Sequence, residues 1–381
     1  MDFNMQCFPN FEPMNSLFLL QLRLYNFRNH PQLSLTFSSK INGIAGPNGT
    51  GKTALLEAIH FLSMGKSPFT SNDKNCLLLG ENAFMLDGQY QRIEQSEHIQ
   101  CGWQEGSKKT LKRNSKTYER LADHIGLLPC VTIAPKDHEL IEGPAELRRK
   151  LVDSVLSQAN SRYLNALLTY SRVLQQRNAF LKQQQQAHTP DFDTMLEHYD
   201  FQLFQNGQVI IEYRSQLAQQ LQRPLNTYYH QLSQGRESAS ILYQASLKAE
   251  DFLQSLKQNK NHDLRLGFTG KGPHKDDFVF QLQDQALKTF ASQGQQKSYL
   301  IALKLAQFEF IAQNIGIKPI MLLDDIFDKL DENRVEQLVT LVNSTSFGQI
   351  FLTDTDPERT ERIIKHINQN ASLIRFPLNT P

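Results

Sequence analysis

Residues Gly46-Pro47-Asn48-Gly49-Thr50-Gly51-Lys52-Thr53 match the pattern G-x-x-x-x-G-K-[ST] at every position. Such a loop needs a strand before it and a helix after it. Ile41-Asn42-Gly43-Ile44-Ala45 reads as a short buried strand, and Leu55, Leu56, Ile59 and Leu62 recur at helical spacing. The glycines let backbone N–H groups curl around phosphate oxygens at a helix N-terminus. Lys52 is placed to reach the β- and γ-phosphates, and the Thr53 hydroxyl to hold Mg²⁺.

A second half of the site lies far along the chain. Ile320-Met321-Leu322-Leu323-Asp324-Asp325 is an apolar strand ending in two carboxylates, a Walker B pattern. Asp324 is expected to bind Mg²⁺ and Asp325 to orient or deprotonate the attacking water. Lys52 and Asp324 are 272 residues apart, which implies a large insertion between the halves of the core. Thirty-two residues before Asp324, Ala291-Ser292-Gln293-Gly294-Gln295-Gln296 resembles the ABC-type signature L-S-G-G-Q through Ser292, Gly294 and Gln295. In ABC ATPases that loop binds the γ-phosphate of ATP held by the other subunit, and the resemblance implies the same here; the alternative is a polar helix cap with Ser292 as N-cap. Asp328-Lys329-Leu330-Asp331 stands where a D-loop belongs. The expected fold is α/β: a P-loop ABC-type ATPase head with mixed sheets, plus an inserted helical-hairpin subdomain.

Periodicity fills in the rest. Leu20–Tyr25 and Leu33–Phe37 alternate apolar and polar residues, as half-buried strands do, with a hairpin expected around Asn29-His30-Pro31. Tyr163, Leu167, Tyr170 and Leu174 share one helical face; QQQQAHTP at 183–190 breaks the pattern, and a second helix is expected from Phe192 to Gln222, before Pro224. Two antiparallel arms of about 30 residues each are roughly 45 Å long. Phe278–Leu282 and Ile320–Leu323 read as strands of the returning head. The boundaries drawn are an extension at 1–16, the first half of the head at 17–138, the helical arm at 139–262 and the second half of the head at 263–381.

Composition excludes several classes. No apolar run approaches a membrane span, and the start lacks a secretory pattern. Cys7, Cys76, Cys101 and Cys130 show no C-x-x-C pairing, which fits a reducing cytoplasm rather than a zinc or disulfide framework. Net charge is +1, so any nucleic-acid surface must be local. Lys108, Lys109, Lys112, Arg113, Lys116 and Arg120 form one basic cluster, and Arg148, Arg149 and Lys150 open another; each reads either as DNA contact or as solvated surface.

These motifs together resemble the RecF family, related to SMC proteins, over nearly the whole chain after residue 16. Asn26-Phe27-Arg28-Asn29 is similar to its N-F-R-N, Leu56-Glu57-Ala58-Ile59 follows the loop as in the family, and Pro135-Lys136-Asp137 and Arg148-Arg149-Lys150 fall where it has P-x-D and R-R-[RK]. Gln176-Arg177-Asn178-Ala179 and Gly272-Pro273-His274-Lys275-Asp276-Asp277 are similar to its Q-R-N-A and G-P-H-[RK]-D-D. The last reads equally as a tight turn with locally bonded carboxylates and as a functional element. Ser67-Pro68-Phe69-Thr70 departs from S-F-R-T by losing the Arg, and Glu146-Leu147 stands where E-R is common. The resemblance implies that Arg28 and Asn29 join the ATP site. It implies ATP and Mg²⁺ as cofactors and an ATP-dependent homodimer. It also implies a cytoplasmic protein that binds DNA at gaps and single-strand/double-strand junctions and acts with RecO and RecR in RecA loading and the SOS response. Asp325 replaces the Glu of transporter-type ABC ATPases, and the strand Gln349–Thr353 lacks their switch His, which together predict slow hydrolysis with ATP acting mainly as a dimerisation switch. A weak, DNA-stimulated ATPase is the expected activity. Alternatives are a longer-armed SMC-like chromosome ATPase, the motor of a transporter, and a nucleotide-dependent scaffold without hydrolysis.

Overall fold

The computed structural model describes residues 16–185, 190–233, 237–326, 337, 340–341, 347–367 and 371–377. By its described residues the chain divides into two compact units, one within 16–133, 311–326 and 340–377, the other within 134–310 and 337.

In the first unit, β1 (Leu17–Phe27), β2 (His30–Thr36), β4 (Ala83–Arg92), β5 (Gln95–Gln104), β6 (Thr110–Arg113) and β7 (Lys116–Thr117) form an antiparallel sheet in the order β2-β1-β4-β5-β6-β7. The β1–β2 turn is tighter than expected. Phe27 pairs with His30 across Arg28 and Asn29, so His30 and Pro31 lie within β2. Two facts permit this: Arg28 takes a left-handed φ of 56°, and β2 is an edge strand, where proline's missing N–H faces away from the ladder. A five-stranded parallel sheet, β14-β3-β13-β12-β8, comprises β3 (Ile41–Ala45), β8 (Cys130–Ile133), β12 (Ile320–Leu323), β13 (Ile350–Asp354) and β14 (Ser372–Arg375). All residues of β3, β12 and β13 are buried, and β12 is apolar throughout, as a strand of a covered parallel sheet is; the buried polar residues Asn42, Thr353 and Asp354 are hydrogen-bonded.

Helix α1 (Lys52–Met64) is buried nearly all round, because its Leu55, Leu56, Ile59, Phe61 and Leu62 join one core with β1, β4, β8 and β12. Phe27, Phe61 and Phe84 meet edge to face there. The register of β1 shifts between Leu19 and Gln21, and the fully buried Gln349 amide serves the backbone at that point. It accepts from Leu19 N–H at 2.7 Å and donates to Leu19 O at 2.8 Å and Ser38 O at 2.7 Å. Buried His124 donates Nε2–H to Leu62 O at 2.7 Å.

The second unit is mostly helical: α2 (Glu139–Glu142), α3 (Ala145–Ala159), α4 (Ser161–Gln184), α5 (Phe192–Ser233), α6 (Phe252–Leu266), α7 (Leu287–Phe290) and α8 (Gln293–Ile315), the last passing into the first unit after Phe310. Helices α4 and α5 form the expected antiparallel hairpin, with Tyr163 beside Tyr213, Arg177 beside Asp200 and Phe180 beside Phe192. Helix α5 does not stop before Pro224; it runs 42 residues to Ser233. Both flanks of the proline are pinned to β9 (Ala239–Gln244). Gln222 bonds Ala239 O at 2.9 Å and Ile241 N–H at 3.2 Å, and Asn226 accepts from Ala239 N–H at 3.0 Å. These bonds hold the chain helical where proline removes one ladder bond. Strand β10 (Asp277–Leu282) also departs from the expectation of a returning head strand. It pairs with β9 and β11 (Gln285–Ala286) in a small antiparallel sheet rather than joining the parallel one, as its alternating burial requires.

Arg177 is fully buried between Asp200 (2.7 Å), Asp263 (2.8 Å) and Thr269 (2.8 Å). Burial pushes the Asp200 carboxyl above its ordinary range, against the pull of Arg177. Removing one partner of such a cluster leaves uncompensated buried charge, so Arg177→Ala is expected to lose about 3–5 kcal/mol of stability by denaturant unfolding. His124 generates a second prediction. Burial lowers its imidazole to about 4, below the 6.5 of an exposed histidine, so between these values the unfolded chain takes up a proton that the folded chain refuses. Its contribution is intact above pH 6.5 and is lost as pH falls toward 4. In His124→Gln, the fall in urea midpoint between pH 7 and pH 4.5 should be shallower than in the unaltered protein.

Candidate nucleotide site

The loop at 46–51 joins β3 to α1, with Gly49 and Gly51 at φ 81° and 99°. Gly51 is the tightest point: a Cβ there would lie 2.2 Å from His30 Nε2 and 2.7 Å from Asn29 Oδ1. The β1–β2 turn therefore packs directly under the loop. Asn29 donates to Gly49 O at 3.2 Å, His30 Nε2 donates to Gly51 O at 3.2 Å, and Thr50 Oγ1 donates to Pro47 O at 2.8 Å. Gly46 N–H reaches Asp354 O at 3.2 Å. The Lys52 ammonium sits over the loop on Gly46 O (2.7 Å) and Pro47 O (3.0 Å), leaving one of its three donors.

The second half of the site arrives on β12 and β13. Asp324 Oδ1 accepts from Thr53 Oγ1 at 3.0 Å and from Thr353 Oγ1 at 2.8 Å. Thr353 Oγ1 also accepts from Asp325 N–H at 2.9 Å, and Asp325 holds a left-handed φ of 47°. One hydroxyl thus sets both acidic residues. Burial raises the Asp324 carboxyl above the usual carboxylate range, although Thr353 and Thr53 oppose the shift. A cation beside it would relieve that cost. Among the described residues no three His, Cys, Asp or Glu cluster as a metal cage. One carboxylate plus a threonine hydroxyl instead fits Mg²⁺, which keeps waters and takes its other ligands from phosphate.

Of the other residues singled out from sequence, Arg28 turns away from the loop. Its guanidinium grips buried Glu57 with bonds of 2.6 and 2.5 Å and donates to Asn75 O. Ser292, Gly294 and Gln295 lie in the second unit at the start of α8. There Ser292 Oγ accepts from Gln295 N–H at 3.3 Å while Gln295 Oε1 accepts from Ser292 N–H at 2.7 Å, a capping box. The D-loop residues Asp328–Asp331 lie outside the described residues. Lys109 pairs with Asp73, Arg113 grips Glu97 and Arg120 has a partner of its own, so the first basic cluster reduces to exposed Lys108, Lys112 and Lys116. Arg148 is bound twice by Asp277. The Gly272–Asp277 turn is an internal junction: Pro273 O accepts from Arg214, Asp276 accepts from Ser246 N–H and Tyr243, and His274 bonds Tyr170. Sequence reading missed His30 and Thr353. His30 directly follows the N-F-R-N string, and Thr353 ends the strand in which only a histidine was sought.

A phosphate loop and a Walker B strand meeting on a parallel sheet, together with a helical hairpin, define a P-loop ATPase head of the SMC type. The comparisons agree. The model of the RecF/RecN/SMC N terminal domain matches residues 18–371. The chain is 44% identical over 358 residues to the DNA replication and repair protein RecF of Flavobacterium johnsoniae, covering 94% of this chain and 99% of that one. It is 38% identical to the RecF of Bacteroides fragilis, covering 94% and 96%. Among solved structures, the recombination mediator RecF-ATP of the RecFOR pathway superposes with a TM-score of 0.83 at 29% identity, covering 90% of this chain and 92% of that one. An Smc head domain from Pyrococcus furiosus gives a TM-score of 0.54 at 15% identity, a likeness of fold. The chain belongs to the RecF family of DNA replication and repair proteins. No helix among the described residues is long and apolar enough to cross a membrane.

Thr353→Val keeps the shape and deletes the hydroxyl that Asp324 and the Asp325 N–H share. ATP hydrolysis is expected to fall by about tenfold or more, the scale of an orphaned buried hydrogen bond, with nucleotide affinity changing far less. Steady-state turnover and fluorescent-nucleotide titration separate the two.

Proposed function

We propose that this protein is an ATP-gated DNA repair factor. In this reading ATP sits on Gly46–Thr53, and Mg²⁺ held by Thr53 and Asp324 neutralises charge on the phosphates. Asp325 orients the attacking water and Lys52 steadies the β- and γ-phosphates. The observation that carries the reading is the Thr53–Asp324–Thr353–Asp325 chain of hydrogen bonds, which joins loop and carboxylates into one site.

Ser292, Gly294 and Gln295 supply the γ-phosphate contact to a second copy, so ATP closes a homodimer. The exposed N-terminus of α8 offers N–H groups for that role. The dimer binds DNA at gaps and single-strand/double-strand junctions, with Lys108, Lys112 and Lys116 as candidate contacts. Acting in the cytoplasm with RecO and RecR, it promotes RecA loading; the solved relatives it matches are described as recombination mediators of the RecFOR pathway. The shorter Asp325 and Thr353 in place of a switch His support slow hydrolysis, with ATP acting as a joint between subunits; DNA binding stimulates it.

Sedimentation velocity with ATP or ADP, with and without a gapped duplex, tests this. ATP-dependent dimers that Ser292→Arg abolishes, with turnover below the enzyme median of about 10 s⁻¹, are expected. Monomers under every condition, or faster turnover, would refute it.

A further inference from the structure

Arg148 and Arg149 are neighbours on α3 with opposite fates. Arg148 is spent internally: two bonds to Asp277 at 2.8 and 2.9 Å, and others to Leu140 O and Gly143 O. Arg149 makes a single hydrogen bond, to the Asp276 carbonyl at 2.6 Å, and no ion pair among the described residues. It is half-buried in the wall of a cleft of about 210 Å³ within the second unit. Buried Arg214 also lines this cleft, and its charge adds to burial in lowering the proton affinity of Arg149. The carboxylates of the cleft are already engaged. Asp153 is gripped by Arg214 and Tyr163, and Glu146 pairs with Lys150.

Asp153, Asp277 and Glu146 lie near enough to act on Arg149, but each is paired with another cation. A guanidinium that is partly dehydrated, has no ion pair of its own and stands beside a second guanidinium gains most from an incoming anion. Its planar fork matches phosphate. Lys150 on α3, whose ammonium keeps donors beyond its bond to Glu146, and Ser171 on α4 line the same cleft, so donors come from more than one helix. That arrangement suits a tetrahedral anion better than a flat carboxylate, which one fork satisfies. We propose that this cleft is a phosphate-binding site with Arg149 as its principal donor, taking either a DNA backbone phosphate or the phosphate of a free small molecule. The DNA source rests on the DNA-binding reading above; the site itself does not.

The test uses the full chain saturated with a non-hydrolysable ATP analogue, so that the loop at 46–53 is filled. Inorganic pyrophosphate is titrated by calorimetry, and gapped-duplex affinity is measured against NaCl concentration, for the unaltered protein, Arg149→Gln and Arg149→Lys. If the phosphate is DNA's, Arg149→Gln weakens duplex binding about tenfold and lowers the magnitude of the salt slope by about 0.9, the value of one phosphate contact. Arg149→Lys then restores the slope but only part of the affinity. If the source is a small molecule, pyrophosphate heat is lost while duplex binding is unchanged. An unaltered protein that binds pyrophosphate but no DNA sinks the DNA reading and keeps the site. Folded variants, judged by their thermal melts, that alter neither titration overturn the proposal. Should Arg149→Gln misfold, Lys150→Gln, at an exposed position, must weaken the same titration or the proposal fails.

Discussion

The Asp324 carboxylate is the interaction on which the first unit depends. It is nearly buried, and it is tolerated there because two threonine hydroxyls, one on α1 and one at the end of β13, point at one of its oxygens. Three chain segments are thereby fixed to a single atom. The phosphate loop, the Walker B strand and the following strand cannot shift independently, and Asp325 inherits its position through the same Thr353 hydroxyl. A carboxylate held above its ordinary range by burial gains from a cation placed beside it. The site therefore stores electrostatic cost at the point where a divalent ion would remove it.

The second unit solves a different problem. Its long helices bury apolar stripes, and arginines set into those stripes key the interior. Arg177 joins α4, α5 and α6 through Asp200 and Asp263, Arg214 ties α5 to α3 and to the Gly272–Asp277 turn, and Arg148 ties α3 to β10. Each guanidinium is a planar fork, so each fixes orientation as well as proximity. Close packing completes the arrangement: Gly207 on α5 leaves room for Phe252, whose ring carbon would lie 1.9 Å from any Cβ there.

What the sequence made legible was whatever is local. The phosphate loop, the Walker B strand and the hairpin of α4 and α5 are contiguous patterns whose periods match the elements they form. What it hid was pairing across distance. Nothing near Lys109 or Arg113 announces Asp73 or Glu97, so a basic run looked freer than it is. Arg28 looked like a nucleotide contact because the string N-F-R-N is read as a unit, yet the turn splits it: Asn29 faces the loop and Arg28 faces Glu57. Pro224 looked like a stop because its neighbours' bonds to β9 are 13–19 residues away in sequence. The alternation in Asp277–Leu282 was visible and did mark a half-buried strand, but which sheet it joins depends on β9, a partner that sequence reading left inside the helical region.

The placement of β3 has a consequence for how the molecule is made. Its neighbours are β13 and β14, both near the far end of the chain: Asn42 pairs with Phe351 and with Ser372. The antiparallel sheet, by contrast, is complete by residue 117. On a ribosome adding about 5–20 residues per second, the strand that carries the phosphate loop waits roughly 15–60 s for its first partner. Through that interval Ile41–Ala45 is an unpaired apolar strand edge attached to an already formed sheet. Nascent chains, more than finished ones, are where this protein is exposed to misassembly and to chaperones.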